Sequence, residues 1–403
     1  MTMAEHAAAY GATGDHSPLV NNYGAPPRRF VRGRGAELWD VDGVRHLDFL
    51  CGLAVTGLGH AHPAVTEAIA TQAATLTHTS NLFANEHQAP VAETVGRLID
   101  AGPGRVLFQN SGAEANEAAL KLVRKCQGRG RHGVVSALRS FHGRTLMSLA
   151  ATGQPEKHEP FQPLPEGFRH VVWNDLAEFE RSLTPEVGGV ILESVQGEGG
   201  VNPADDDYLR GVRQICDERG LLLIFDEVQA GMGRTGAWFG FQHAGVRPDV
   251  VTMAKGIANG MPVGAMWARD DVAAAFVPGD HGSTYAGQPL ALSAARATLA
   301  ELERIDAPAV ARAHEATFRS LLEPMVAVDH VRGRGLLLGV ELTPEALAGR
   351  TAGDIARACL DRGLVVNGVT PTALRLAPPF IVADEQIAEG VEIIGAVIAE
   401  GAA

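Results

Sequence analysis

Leu221-Leu222-Leu223-Ile224-Phe225-Asp226-Glu227-Val228-Gln229 opens with five apolar residues in a row and no polar residue among them. Such a run is a strand buried on both faces, the pattern of a parallel sheet covered by helices. A strand of this kind delivers its last residues to the carboxyl edge of the sheet, where open α/β folds bind ligands. A carboxylate there, Asp226, is costly unless a positive charge or hydrogen-bond donors meet it. A second run, Val250-Val251-Thr252-Met253-Ala254-Lys255-Gly256, repeats the pattern and ends in an amine followed by glycine. An acid and an amine at adjacent strand ends suit a cofactor with a basic ring nitrogen and an aldehyde, which is pyridoxal phosphate.

Other readings of the same residues compete. An apolar run ending in Asp-Glu is also the shape of a Walker B strand, but that reading needs a Gly-x-x-x-x-Gly-Lys-Ser/Thr loop, and the chain contains none. Taken alone, Asp226 serves equally well as a cap for the helix that follows. Lysine usage sharpens the choice. Only four of the 34 basic residues are lysines, namely Lys121, Lys125, Lys157 and Lys255. In a chain so short of lysine, one at the end of an apolar strand points to chemistry. Arginine cannot replace it, because the nucleophile must be an amine that can lose its proton.

The 403 residues suffice for two domains, or for one large domain with a smaller partner. A net charge of −13 argues against a general nucleic-acid binder, since no broad basic face is available to neutralise phosphates. The one basic cluster, Arg124 to Arg131, reads as a solvated helix end with its loop. Cys51, Cys126, Cys216 and Cys359 show no paired spacing, which fits reduced thiols in a cytoplasm and neither a disulfide framework nor a zinc site. With no signal peptide and no run of 18 apolar residues, the sequence reads as soluble, with no membrane partner.

Residues 1 to about 20 lack periodicity and read as a frayed start. Phe30-Val31, Ala36 to Val41 and Arg45 to Phe49 form short strands, the last two joined by a tight turn at Asp42-Gly43. His60 and His62, without a third ligand, read as turn or core residues and not as a metal centre. From Pro63 to about Leu76 the spacing is helical. Arg105 to Asn110 is a strand that runs through Ser111-Gly112-Ala113 into a helix, presenting free N–H groups at the positive end of the helix dipole. That is an anion site or, equally, an ordinary capped helix. After the strand Val134 to Leu138 comes Phe141, an aromatic placed to stack on a planar cofactor. Arg144, three residues on, is placed to take a carboxylate bidentately. The strand Val187 to Glu193 leads to Glu198 on a glycine-flanked loop, and Asp207 to Arg219 is an amphipathic helix. Val263 to Ala268 is a further strand, and His281 to Tyr285 supplies hydroxyls, useful for a phosphate and equally common in plain turns. Past residue 289 the pattern changes: helices near Leu290–Ile305 and Ala309–Leu322, strands at Val331, Leu336–Leu342 and Leu364–Val366, and a closing helix near Asp384–Ala399. The expected division is an N-terminal segment 1–65 contributing to a small domain, a large domain over 66–288 with a mostly parallel sheet, and a C-terminal α+β part over 289–403.

Taken together, Asn110-Ser111-Gly112-Ala113-Glu114-Ala115-Asn116, Phe141-His142-Gly143-Arg144-Thr145, Gln196-Gly197-Glu198-Gly199-Gly200, Asp226 to Gly236 and Ala254-Lys255-Gly256 resemble the class III pyridoxal-phosphate aminotransferases. The likeness runs from about Tyr23 to the C-terminus and implies a fold-type-I α/β architecture. It implies that Lys255 is the Schiff-base lysine and proton carrier, and that Asp226 partners the pyridinium nitrogen. Gln229 would touch the ring hydroxyl, Phe141 would stack on the ring, and Gly112 and Ala113 would donate to the phosphate. The resemblance also makes Thr284 a phosphate contact from a neighbouring subunit, hence a homodimer with active sites at the interface. Arg144 becomes the substrate-carboxylate arginine, with Ser283 and Tyr23 as further substrate contacts. Arg375 and Glu198 become a switch that exposes the arginine only to a second carboxylate.

The implied reaction moves the terminal amino group of N2-acetyl-L-ornithine to 2-oxoglutarate, giving N-acetyl-L-glutamate 5-semialdehyde and L-glutamate in arginine biosynthesis. Succinyl-diaminopimelate, ornithine and 4-aminobutyrate are the rival donors, and an aminomutase is the rival reaction. The pattern departs from the usual one at Ala286-Gly287-Gln288, Ser194-Val195 and Thr56, none of them a cofactor position. Leu53 stands where ornithine-specific relatives carry a tyrosine, which suits a neutral acylated amine.

Overall fold

A computed structural model describes residues 19–24 and 26–401; the frayed start expected for residues 1 to about 20 falls almost wholly outside them. The apolar run that begins at Leu221 forms the strand Leu222–Asp226, buried along its whole length. It lies at the centre of a seven-stranded sheet, ordered Gly104–Gln109, Gly264–Arg269, Val250–Met253, Leu222–Asp226, Val187–Glu193, Gly133–Ala137 and Phe168–Val171. Six strands run parallel, and Gly264–Arg269 alone runs antiparallel to both its neighbours. A parallel return needs a crossover of roughly a dozen residues or more. The link from Ala254 to Val263 holds only a short 3₁₀ turn, so the chain comes straight back.

Both faces of this sheet are covered, as an unbroken apolar run requires. On one face the helix Gly112–Gln127 lays Ala118, Leu122 and Val123 against Ile191, Ile224 and Val250. On the other, the helix Asp206–Arg219 contributes Leu209, Val212 and Cys216 to the core that holds Leu223 and Phe225. Leu223, Ile224 and Phe225 are fully buried, together worth on the order of 6 kcal/mol of apolar burial. An Ile224→Asp change would leave a charge without a partner between sheet and helix.

Two four-stranded sheets flank this body. Phe30–Arg34, Glu37–Asp40 and Arg45–Asp48 form an antiparallel meander, to which Leu364–Val365 adds in parallel, so the first and last parts of the chain share one sheet. The turn between its second and third strands needs Gly43 at φ +80° and is held by Asp40 Oδ1, which accepts from Asp42 N and Val44 N. The other sheet orders Val328–Arg334, Leu337–Leu342, Ala373–Leu376 and Asn367–Gly368, all antiparallel. Pro289–Arg304, Ala307–Leu322 and Asp384–Gly401 are the three helices expected in the last third.

The sequence reading passes over the helices Gln88–Ile99 and Ala352–Asp361, although Val91, Val95, Leu98 and Ile99 do make a buried stripe at helical spacing. His60 and His62 are plain structural residues: Nε2 of His60 lies 2.7 Å from Asp48, and His62 faces Glu301. All four cysteines are free thiols. Among the described residues no helix is long and apolar enough to cross a membrane.

Candidate active site

The parallel pairing of Leu222–Asp226 with Val187–Glu193 and Val250–Met253 sets Asp226 level with Glu193 on one side and Thr252 on the other. Asp226 is almost fully buried and its two oxygens have different work. Oδ1 accepts the N–H of Val228 at 3.1 Å, so the capping reading of this aspartate is realised in part. Oδ2 accepts from Nδ2 of Asn116 and from Nδ1 of His142, each at 2.8 Å. Asn116 is itself fixed, because its Nδ2 also donates to the His142 carbonyl at 2.7 Å and its Oδ1 accepts from Thr252 Oγ1 at 2.6 Å. The sequence carries only a weak signal for Asn116, His142 and Thr252: Asn116 lies one helical turn past Gly112, and His142 sits between Phe141 and Arg144.

Lys255 follows the neighbouring strand and starts a 3₁₀ turn, with its backbone in the left-handed region at φ +46°. A non-glycine residue held there stores of the order of 1 kcal/mol, and such strain collects at functional sites. Burial lowers the amine to about 8, with Arg375 adding to the fall and Glu198, Asp226 and Glu193 opposing it. The lysine is therefore poised to carry or release a proton near neutral pH.

Both groups open into a cavity of about 400 Å³. At one end the strand Gly104–Gln109 passes through Asn110 and Ser111 into the helix Gly112–Gln127. Ser111 Oγ caps Glu114 N at 3.2 Å, while the N–H groups of Gly112 and Ala113 belong to the first turn, which has no intrahelical acceptor. Both residues line the cavity. A Cβ on Gly112 would sit 2.8 Å from Val228, so glycine is what lets the turn approach.

Phe141 lines the wall, and the guanidinium of Arg144 stands over its ring at 5.6 Å, exposed at the mouth. The Phe141 N–H donates to Glu193 Oε2 at 3.1 Å. Burial, then the adjacent Asp226, push the Glu193 carboxyl well above the usual range. Glu198 and Gln229 also line the cavity, and both engage Arg375 from behind it. Arg375 Nη1 donates to Glu198 Oε1 at 2.5 Å and to Gln229 Oε1 at 3.1 Å, while its Nε donates to Asn367 Oδ1 at 3.2 Å. Its remaining Nη2 is buried with no partner among the described residues, a donor free for a carboxylate. Burial works against ionising Glu198, yet the Arg375 charge and hydrogen bond win and hold its carboxyl below the usual range.

The other expected site residues lie apart from this wall. Ser283 is tied to it at one remove, since its Oγ accepts from Asn110 Nδ2 at 2.8 Å. Thr284 is exposed and does not line the cavity. Tyr23 is 95% exposed, away from the cavity in the isolated chain. Leu53 is partly exposed and does not line it either; Val55 does.

The family model for class-III aminotransferases matches residues 20–398. The chain belongs to this family. Acetylornithine aminotransferase from Corynebacterium efficiens is 45% identical over 395 residues, covering 95% of each chain, and that from Methanocaldococcus jannaschii is 43% identical over 91% of this chain and 92% of its own. Among solved structures, an ornithine aminotransferase from Toxoplasma gondii superposes with a TM-score of 0.90 at 30% identity, over 99% of this chain and 96% of that one. N-acetylornithine aminotransferase from Stenotrophomonas maltophilia gives 0.81 at 36%, over 94% and 98%. The fold is thus that of the pyridoxal-phosphate-dependent class-III enzymes, and a second Toxoplasma structure is described with PLP at partial occupancy in its active site. The aminotransferase cavity described above fits that cofactor: a helix N-terminus for a phosphate, a buried carboxylate held by two donors for a ring nitrogen, an aromatic wall and a buried amine.

Proposed function

We propose that this aminotransferase moves the terminal amino group of N2-acetyl-L-ornithine to 2-oxoglutarate, forming N-acetyl-L-glutamate 5-semialdehyde and L-glutamate, a step of arginine biosynthesis. The observation that carries the chemistry is the pairing of Asp226 and Lys255 on adjacent strand ends in one cavity. The donor rests on the acetylornithine aminotransferases that match the chain at 42–46% identity over more than nine-tenths of its length.

Bound here, pyridoxal phosphate supplies an aldehyde for the amine and a ring that accepts electrons from the carbon bearing it. Gly112 and Ala113 N–H groups would hold its phosphate. Asp226, fixed by Asn116 and His142, would meet the ring nitrogen, Phe141 would cover the ring and Gln229 would reach its hydroxyl. Lys255, with its amine lowered to about 8, would take the proton from the donor carbon that bears the amine and pass it to the cofactor's aldehyde carbon. Arg144 at the mouth would bind the α-carboxylate of the donor, with Ser283, held on Asn110, as a lesser contact. Glu198 covers Arg375 while the neutral acetyl end is bound. The second carboxylate of 2-oxoglutarate then displaces it and takes the free Nη2 of Arg375.

The protein would act as a cytoplasmic homodimer, in which Thr284 would reach the phosphate held by the partner. What supports the dimer is the exposed loop that carries Thr284 and Tyr285, joined through the side chains of Asn81 and Asn85 to a segment that exposes Leu82 and Phe83.

The test uses holoenzyme without keto acid, following the cofactor absorbance as N-acetylornithine, ornithine, succinyl-diaminopimelate or 4-aminobutyrate is added. Bleaching at the lowest concentration by N-acetylornithine, reversed by 2-oxoglutarate, is expected. Preferential bleaching by ornithine would move the enzyme to the activity named for the Toxoplasma structure. Absence of a cofactor band would remove the role of Lys255.

A further inference from the structure

Behind Glu198 lies a second cavity of about 880 Å³, which Glu198 lines together with Arg139, Gln196, Gly199, Asn202 and Thr370. Glu198 is thus a wall shared by two cavities, and its carboxylate faces the first in the contact with Arg375. The backbone around it cannot move far. A Cβ on Gly197 would fall 2.0 Å from Gln229 Oε1, and one on Gly199 would fall 2.7 Å from the Arg139 carbonyl, so the loop packs closely on both sides of Glu198. Any redirection of Glu198 is therefore a rotation of its side chain from one cavity to the other.

The chemistry of the acceptor half-reaction demands such a rotation. Arg375 is almost fully buried, and two carboxylates on its one guanidinium would repel each other. A displaced Glu198 without a cation in this half-buried place would lose the ion pair that now offsets the cost of its burial. Among the residues lining the second cavity, Arg139, exposed at its rim, is the only cationic side chain, and it makes no ion pair among the described residues. The carboxylate in the same cavity, Glu156, is already paired with Lys157. We propose that Arg139 is a positioning residue that receives the Glu198 carboxylate when the substrate's second carboxylate occupies Arg375.

This inference rests on the proposed function, and specifically on the masking role of Glu198, so its test separates the two. Arg139→Gln, Glu198→Ala and the double variant would be compared with wild-type holoenzyme in the two isolated half-reactions, with thermal melting as a check on folding. Arg139→Gln is expected to raise the KM for 2-oxoglutarate about fivefold, the scale of a partly exposed ion pair, with little change for the monocarboxylate donor. In the Glu198→Ala background the same substitution is expected to do nothing, and Arg139→Lys should recover most of the loss. A fivefold effect that persists without Glu198 would overturn the proposal in favour of direct contact between Arg139 and substrate. A silent Arg139→Gln beside a Glu198→Ala variant that loses discrimination between the two substrates would overturn it too, leaving the masking role intact and sending Glu198 to solvent. If Glu198→Ala also leaves that discrimination unchanged, the masking role falls and this inference falls with it.

Discussion

Lys255 combines a left-handed backbone, a half-buried position and four charged neighbours, and each leaves a measurable trace. Lys255→Ala should abolish turnover in the steady state, and turnover equal to wild type would refute its catalytic role. Its amine sits at about 8 in the folded chain against 10.5 when free. Between these two pH values the unfolded chain binds the extra proton, so stability rises with pH across this window. With the cofactor removed, Lys255→Met should therefore be more stable than wild type at pH 7 by roughly 1–3 kcal/mol. Urea melts should show that gap closing as the pH climbs through 8 towards 10.5; a constant gap would contradict the assignment. Asp226→Asn replaces the acceptor of three hydrogen bonds. It should lower the single-turnover rate by about 10²–10³, the usual cost of removing one preorganised electrostatic partner. A rate within threefold of wild type would show that the ring nitrogen does not depend on it.

The elements act by bringing backbone where side chains cannot. Gly264 begins the only antiparallel strand of the large sheet, and a Cβ there would lie 2.2 Å from the carbonyl of Ser111. Because the obstacle is backbone, the turn that aims Gly112 and Ala113 would have to shift. Gly264→Ala should weaken pyridoxal phosphate binding about tenfold, the scale of a lost charge-assisted hydrogen bond. Equilibrium dialysis decides this, and unchanged affinity would mean that the helix N-terminus is not the phosphate seat. The strands and the helix Gly112–Gln127 were legible in order because buried strands and capped helices are written in local runs. The direction of Gly264–Arg269 was not, since it depends on the length of a link between elements and not on the strand itself.

At the scale of the molecule, Arg234 ties the segment that follows Asp226 to the segment that follows Arg375. It is fully enclosed, donates to the carbonyls of Leu336 and Pro378 and stacks over Phe380 at 4.7 Å. Arg234→Ala should destabilise the protein by about 3 kcal/mol in chemical unfolding, as two bonds from a charged donor are lost. A loss under about 1 kcal/mol would mean that the two segments are held by other contacts. The Thr284 loop is anchored from below, since Asn81 Nδ2 donates to the Ala286 carbonyl and Asn85 Nδ2 to that of Gly287. In the proposed dimer, mixing an inactive Lys255→Ala protein with an inactive Thr284→Arg protein should restore activity in up to about a quarter of the sites, because exchange gives mixed dimers one complete site each. No recovery after verified subunit exchange would place Thr284 outside the site.

Short-range pattern alone settled the α/β class, the strand carrying Asp226, the amine at Lys255 and the glycine-bounded loops. All of these follow from runs of a few residues whose burial and turn chemistry are local. Tertiary structure decided the rest. It set Glu193 level with Asp226 across a pair of strands and turned Asn116 and His142 onto the same carboxylate from 110 and 84 residues away. It also carried Arg375 from the last quarter of the chain to Glu198 and Gln229. Hydrogen bonds and ion pairs of that reach depend on which elements pack together, and no local run of residues records it.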